Sequence, residues 1–179
     1  MLRPLALILF VTASLVAQVT VFQNARVIDG SGRPAMENAT LVVVGGKIRS
    51  VGAPNGSKIP DSARVIDLDG KTVIPGIINL HGHVGMTNGL VQHSDNYTRE
   101  NVEANLLTYA HYGVTTTTSM GVDLDLIVRI RAEQERGLFT GARVFTALQG
   151  FTTRAGYPTH VSGVKGVAQE VSSAAQARH

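Results

Sequence analysis

Cysteine is absent from this 179-residue chain. Its absence removes disulfide scaffolds, thiolate zinc sites, iron–sulfur clusters and cysteine nucleophiles together. Any metal must therefore sit on imidazole, carboxylate or water. A clustered positive face is also missing. Lys plus Arg number 16 against 13 Asp plus Glu, but the basic residues are scattered from Arg26 to Arg178. Between Arg129 and Arg136 they alternate with Glu133 and Glu135, the pattern of a solvated helix face, so nucleic acid is excluded as a partner. No Gly-x-Ser-x-Gly elbow occurs, which argues against a serine hydrolase. Charged residues make up only 16% and aromatics 5%, whereas 44% are apolar. That balance describes a folded globular protein, not a disordered, collagen-like or coiled-coil chain.

The apolar run Leu5–Ala17 follows Met1-Leu2-Arg3-Pro4 and gives way to polar residues at Gln18. It falls short of the roughly 20 residues that span a bilayer and has the layout of a secretory signal peptide. Cleavage near Ala17 is expected, although Leu15 is larger than the usual residue there. Residues 1–17 are read as the signal, with export to the periplasm or beyond and no stable membrane anchor after cleavage. A retained anchor is the alternative.

Residues 18–75 carry short β-branched runs between turn residues. Val19–Phe22 and Ala25–Ile28 lead to Asp29-Gly30-Ser31-Gly32. Thr40–Val44 and Lys47–Val51 flank Gly45-Gly46, a strong hairpin signal because both glycines can take positive φ. Arg64–Leu68 and Lys71–Ile74 repeat the arrangement around Asp69-Gly70. The expectation is a small antiparallel β-sandwich without catalytic groups.

The period changes after Pro75-Gly76. Ile77–Leu80 reads as a strand buried on both faces. Val102, Leu106, Tyr109 and Ala110 then fall at helical spacing up to Gly113, and Val114–Thr118 is the next strand. Asp123 is expected to cap a helix carrying Leu126, Ile127 and Ile130. Ala142–Ala147 is a third strand, and Val167, Val171, Ala174 and Ala175 mark a third helix. Alternating strands and helices imply right-handed βα units. The fold class is α/β: residues 76–179 read as the start of a (β/α)8 TIM-like barrel, about three βα units, incomplete because a full barrel takes about 250 residues.

Chemistry concentrates in His81-Gly82-His83, directly after the first of these strands. Residues i and i+2 of an extended chain share a side, and the carboxyl end of a barrel strand is where active sites lie. The pair is thus half of a metal site, or else two hydrogen-bonded loop histidines. His93 and Asp95 fall in the following loop and read as solvated. His111 suits the carboxyl end of its helix. Asn38-Ala39-Thr40, Asn55-Gly56-Ser57 and Asn96-Tyr97-Thr98 match a glycosylation pattern that short turns also produce by chance.

Pro75-Gly76-Ile77-Ile78-Asn79-Leu80-His81-Gly82-His83 resembles the signature of the metal-dependent amidohydrolase superfamily. Upstream, Val27–Gly30, Gly46-Lys47-Ile48 and Val65-Ile66-Asp67 are similar to the β-sandwich that flanks those barrels. Gly113-Val114-Thr115-Thr116 and Gly141–Val144 resemble the branch with imidazolonepropionase-like enzymes and secreted Xaa-Pro dipeptidases. Asn79 stands where the family more often has aspartate and is expected to point away from the histidine pair.

The resemblance implies a hydrolase of carbon–nitrogen bonds in a cyclic amide or an Xaa-Pro-type dipeptide, using one or two Zn2+ ions. His81 and His83 would be metal ligands, and His160 and Tyr157, in the loop after the third strand, would contact substrate. The bridging lysine, further histidines and the proton-moving aspartate of such enzymes are expected beyond residue 179. Lys165 is not the bridging lysine. The chain by itself is expected to be inactive. A small molecule or dipeptide is the implied substrate, and a homo-oligomer is compatible with the sequence. The rival reading is a non-catalytic secreted barrel relative that serves in binding or assembly.

Overall fold

A computed structural model of the chain describes residues 18–53 and 59–178. The signal-like run and the Asn55-Gly56-Ser57 triplet lie outside these residues. Two compact units divide at Pro75 and Gly76.

In the first unit, β1 (Val19–Val27), β2 (Met36–Val44), β3 (Lys47–Gly52), β4 (Arg64–Asp67) and β5 (Thr72–Val73) form one five-stranded sheet. The expectation of an antiparallel sandwich needs correction: among the described residues there is a single, mixed sheet. β1 pairs antiparallel with β2, and β2 with β3 through the Gly45-Gly46 turn, where φ is 56° and 77°. β4 and β5, however, both run parallel to β1 and do not pair with each other. Asp69-Gly70 has the positive φ of a hairpin turn and closes Leu68–Lys71 by a Lys71 N–H to Leu68 carbonyl bond of 2.9 Å. The strand nevertheless resumes its original direction, because β1 bulges at Asn24 (φ 55°) opposite the turn and accepts the Gly70 N–H at 2.8 Å. A tight turn matched by a bulge on the neighbouring strand diverts the chain without reversing it.

The second unit contains β6 (Ile77–Gly82), the hairpin β7 (Thr87–Asn88) and β8 (Val91–Gln92), α1 (Arg99–His111), β9 (Val114–Ser119), α2 (Leu126–Glu135), β10 (Arg143–Thr146), β11 (Gly150–Thr152) and β12 (Ala168–Glu170). β6, β9 and β10 make a parallel sheet in the order β10-β9-β6, with α1 and α2 as the crossovers. α1 begins where the Thr98 side chain accepts the Asn101 N–H, and ends before Gly113, whose φ of 83° terminates the helix. Its buried Val102 and Leu106 join Val84, Ile127, Ile130, Ala142 and Val144 between the helices and the sheet. Arg99 fastens α1 to α2 through two bonds to Glu133, at 2.7 and 2.8 Å, and these hold the Glu133 carboxyl below its ordinary range. Leu106 is 0% exposed at the centre of the cluster. Leu106→Ala is expected to cost about 2–5 kcal/mol, read as a lower denaturant midpoint.

Two expectations for this unit fail. β6 is not buried on both faces: Ile77, Ile78 and Leu80 are 50%, 60% and 74% exposed. Helices cover one side of the sheet, lined by Thr117 and Val144, and the other side carries the exposed residues of β6. The third helix is also absent among the described residues. Ala168–Glu170 is a strand parallel to β11, and Gln176–Arg178 is a single 3-10 turn. Val167 turns instead into a second cluster with Met86, Val122 and Val164, which binds the loops beyond the strand ends to one another. Partners in that loop core, not helical spacing, decide the segment's conformation. Among the described residues no helix is long and apolar enough to cross a membrane.

Candidate metal centre

β6 does not pair evenly with β9. Asn79 lies opposite Thr117 and Gly82 opposite Ser119, so three steps along β6 match two along β9. This extra residue is a β-bulge, and it sets the chemistry of the strand end. Under strict alternation Asn79, His81 and His83 would share one face. With the bulge, Asn79 and Gly82 both face the helix-covered side. Gly82 is buried there, and a Cβ added to it would lie 2.8 Å from Thr117 Oγ1, 2.9 Å from Asn79 Nδ2 and 3.1 Å from Tyr109 OH.

His81 and His83 flank Gly82 and are exposed, and His83 lines a pocket with Asn105, Thr108 and Tyr109 of α1. Asn79 stabilises the irregularity directly, its Oδ1 accepting the His81 N–H at 3.1 Å. The amide therefore finds an acceptor inside its own strand.

The two imidazole ring centroids are 5.5 Å apart, with ring planes at 80°. Two rings bound to one tetrahedral ion at about 2.0–2.1 Å from each nitrogen would have centroids roughly 5 Å apart. The centroid separation is compatible with a shared divalent ion. Among the described residues no group of three or more His, Asp or Glu side chains gathers around one point.

The other histidines are placed separately. His93 Nδ1 accepts the Asp95 N–H at 3.1 Å and caps the 3-10 turn Ser94–Asn96. This engages Nδ1 as an acceptor and makes the ring structural. Ser94 reinforces the loop by donating its N–H and hydroxyl to the Gly163 carbonyl at 2.7 and 3.0 Å. His111 lies in the last turn of α1. Tyr157 and His160 come together in the loop between β11 and β12, with ring centroids 6.1 Å apart and Tyr157 67% exposed. The structure gives them one surface of their own and no bond to the His81–His83 pair.

Sequence reasoning missed a polar cluster around Asp123. Expected to cap α2, this carboxylate is instead 0% exposed, and the residue before α2, Asp125, makes no side-chain capping bond. Asp123 accepts hydroxyl hydrogen bonds from Ser119 (2.7 Å), Tyr97 (3.2 Å) and Thr146 (2.6 Å). Burial, and secondarily the Asp123 charge, raises the Tyr97 phenol well above its ordinary range. The available sequence signal was that β9 and β10 both end on hydroxyl residues.

No protein-family profile matches the chain. It is 41% identical over 66 residues to the exoenzymes regulatory protein AepA of Pectobacterium carotovorum subsp. carotovorum, covering 36% of this chain and 14% of that protein. Over 71 residues it is 39% identical to a 5-methylthioadenosine/S-adenosylhomocysteine deaminase of Halalkalibacterium halodurans, covering 38% and 16%. Among solved structures, a Xaa-Pro dipeptidase with methionine bound in its active site superposes with a TM-score of 0.67 at 21% identity, over 82% of this chain and 38% of that one. The chain therefore spans a minor part of the length of each of these proteins, and over 82% of its residues it shares the fold of the dipeptidase structure.

Proposed function

We propose that the protein to which this chain belongs is a metal-dependent amidohydrolase that hydrolyses a carbon–nitrogen bond. One observation carries the reading: two imidazoles stand at the carboxyl end of a parallel strand with ring centroids 5.5 Å apart. His81 and His83 would hold a divalent ion of the kind imidazole donors suit, zinc by the resemblance of residues 75–83 to metal-dependent amidohydrolases. When bound, the ion supplies Lewis-acid activation of water and of the substrate carbonyl.

The chain's own residues orient the site. Asn79 fixes the backbone at His81, Gly82 lets the strand lie close to Thr117, and the loop core of Met86, Val122, Val164 and Val167 anchors the loops beyond the strand ends. Tyr157 and His160 are proposed to contact the substrate, with an aromatic face and a hydrogen-bonding edge presented together. The deaminase and dipeptidase relatives support a small molecule or dipeptide as substrate. Residues 1–17 support export to the periplasm or beyond.

A second reading, a non-catalytic binding or assembly module, draws on the relative named as a regulatory protein. Assay of the full-length protein on Xaa-Pro dipeptides and cyclic amides separates the two. Turnover that disappears on chelation and returns with zinc is expected. A protein that hydrolyses neither class with zinc supplied would favour the second reading.

A further inference from the structure

Asp123 is a buried carboxylate whose hydrogen-bond partners are hydroxyls, not a cation. Such a charge is expensive to bury, and what it organises accounts for its place. Ser119 Oγ donates to Asp123 Oδ1 at 2.7 Å and itself accepts the buried Val84 N–H at 3.3 Å. Thr146 Oγ1 donates to Oδ2 at 2.6 Å and accepts the Leu148 N–H at 2.8 Å. Two relays of the same form, backbone N–H to hydroxyl to carboxylate, thus meet on one side chain. One starts at the residue after His83, and the other just beyond β10.

An ionised carboxylate is acceptor-only, so it forces each hydroxyl proton toward itself and leaves the hydroxyl oxygen free to receive the amide. A neutral amide at this position would present a donor and reverse part of that polarity. Tyr97 OH adds a third donor, from the loop between β6 and α1.

We infer that Asp123 is a positioning residue for the candidate metal pair: through Ser119 it holds the peptide that follows His83 and so fixes where that imidazole sits. This rests on reading His81 and His83 as ligands. The geometry makes the inference specific, because the Ser119 relay ends beside His83 and the Thr146 relay does not. Removing either hydroxyl leaves a backbone N–H without its acceptor, but the Ser119 change should reach the metal more strongly, because its relay ends directly at the peptide after His83.

The test measures Zn(II) affinity by chelator competition, the visible spectrum of the Co(II)-loaded protein, and melting temperature. The proteins compared are the full-length wild type, Asp123→Asn, Ser119→Ala, Thr146→Val and the His81→Ala, His83→Ala double variant. Loss of an outer partner of a metal ligand typically weakens binding by about 10–100-fold, and that is expected for Asp123→Asn together with an altered Co(II) spectrum. Ser119→Ala should weaken binding by about tenfold. Thr146→Val should lower the melting temperature comparably yet weaken binding clearly less than Ser119→Ala does, because Thr146 reaches the pair only through Asp123.

Should wild type, Ser119→Ala and Thr146→Val share one affinity while the double variant loses the metal, this inference fails and the ligand reading stands. The same holds if Ser119→Ala and Thr146→Val weaken binding equally. If the wild type binds zinc no better than the double variant, the ligand reading fails and takes the inference with it.

Discussion

Purified full-length protein carrying His81→Ala and His83→Ala is expected to lose its metal on dialysis, while the wild type retains it. Both rings are exposed at the end of β6 and belong to no hydrophobic cluster. Truncating them should therefore leave thermal stability close to that of the metal-free wild type, within about 0.5 kcal/mol, with the metal-loaded wild type more stable than both. The effect on metal should exceed the roughly 10–100-fold that follows loss of an outer partner, since donor atoms are themselves removed. Metal content by atomic emission, with circular dichroism to establish folding, reads both quantities. Equal zinc in the two proteins would reassign the site.

Gly82→Ala should have the second large effect, on stability and metal together. The new methyl would meet Thr117 Oγ1 at 2.8 Å and Asn79 Nδ2 at 2.9 Å, both closer than real Cβ atoms approach their neighbours. Thr117 is a buried, β-branched residue whose hydroxyl has no hydrogen-bond partner. It has few rotamers to escape into, so Asn79 must yield. Asn79 in turn holds the His81 N–H at the bulge. Overpacking of this kind costs about 1–3 kcal/mol, and displacement of Asn79 would shift His81 out of convergence with His83. A chemical-denaturation curve beside a zinc titration checks both consequences. A variant with wild-type stability and affinity would show that the strand end is looser than the contacts indicate.

Much of the organisation follows from local pattern. The change from short β-branched runs to alternating strands and helices at Pro75-Gly76 coincides with the division between the two compact units. α1 could be placed because Val102, Leu106 and Tyr109 recur on one face and Gly113 stops the helix. The Gly45-Gly46 hairpin was legible because positive φ at two successive positions is a local demand.

The misreadings share a cause. Asp69-Gly70 has the local chemistry of a reversal, but its outcome depends on Asn24, more than 40 positions earlier, where β1 bulges to meet it. Val167 to Ala175 carries a helix-like spacing, but Val167 is claimed by Met86, Val122 and Val164. Asp123 has the right residue type and nearly the right place to cap α2, yet hydroxyls from three other segments turn it inward.

By itself the sequence determined the residue types at the candidate centre and their position at a strand end: imidazoles because no thiol exists, separated by a glycine because the strand packs closely there. Only the tertiary structure decided that Asn79 and Gly82 share the Thr117 side, because facing is fixed by register against β9 and one extra residue in β6 overturns simple alternation. It also decided that Asp123 is an internal clamp and not a helix cap. A buried carboxylate goes where several donors converge, and that convergence is a property of packed strand ends, invisible along a single segment.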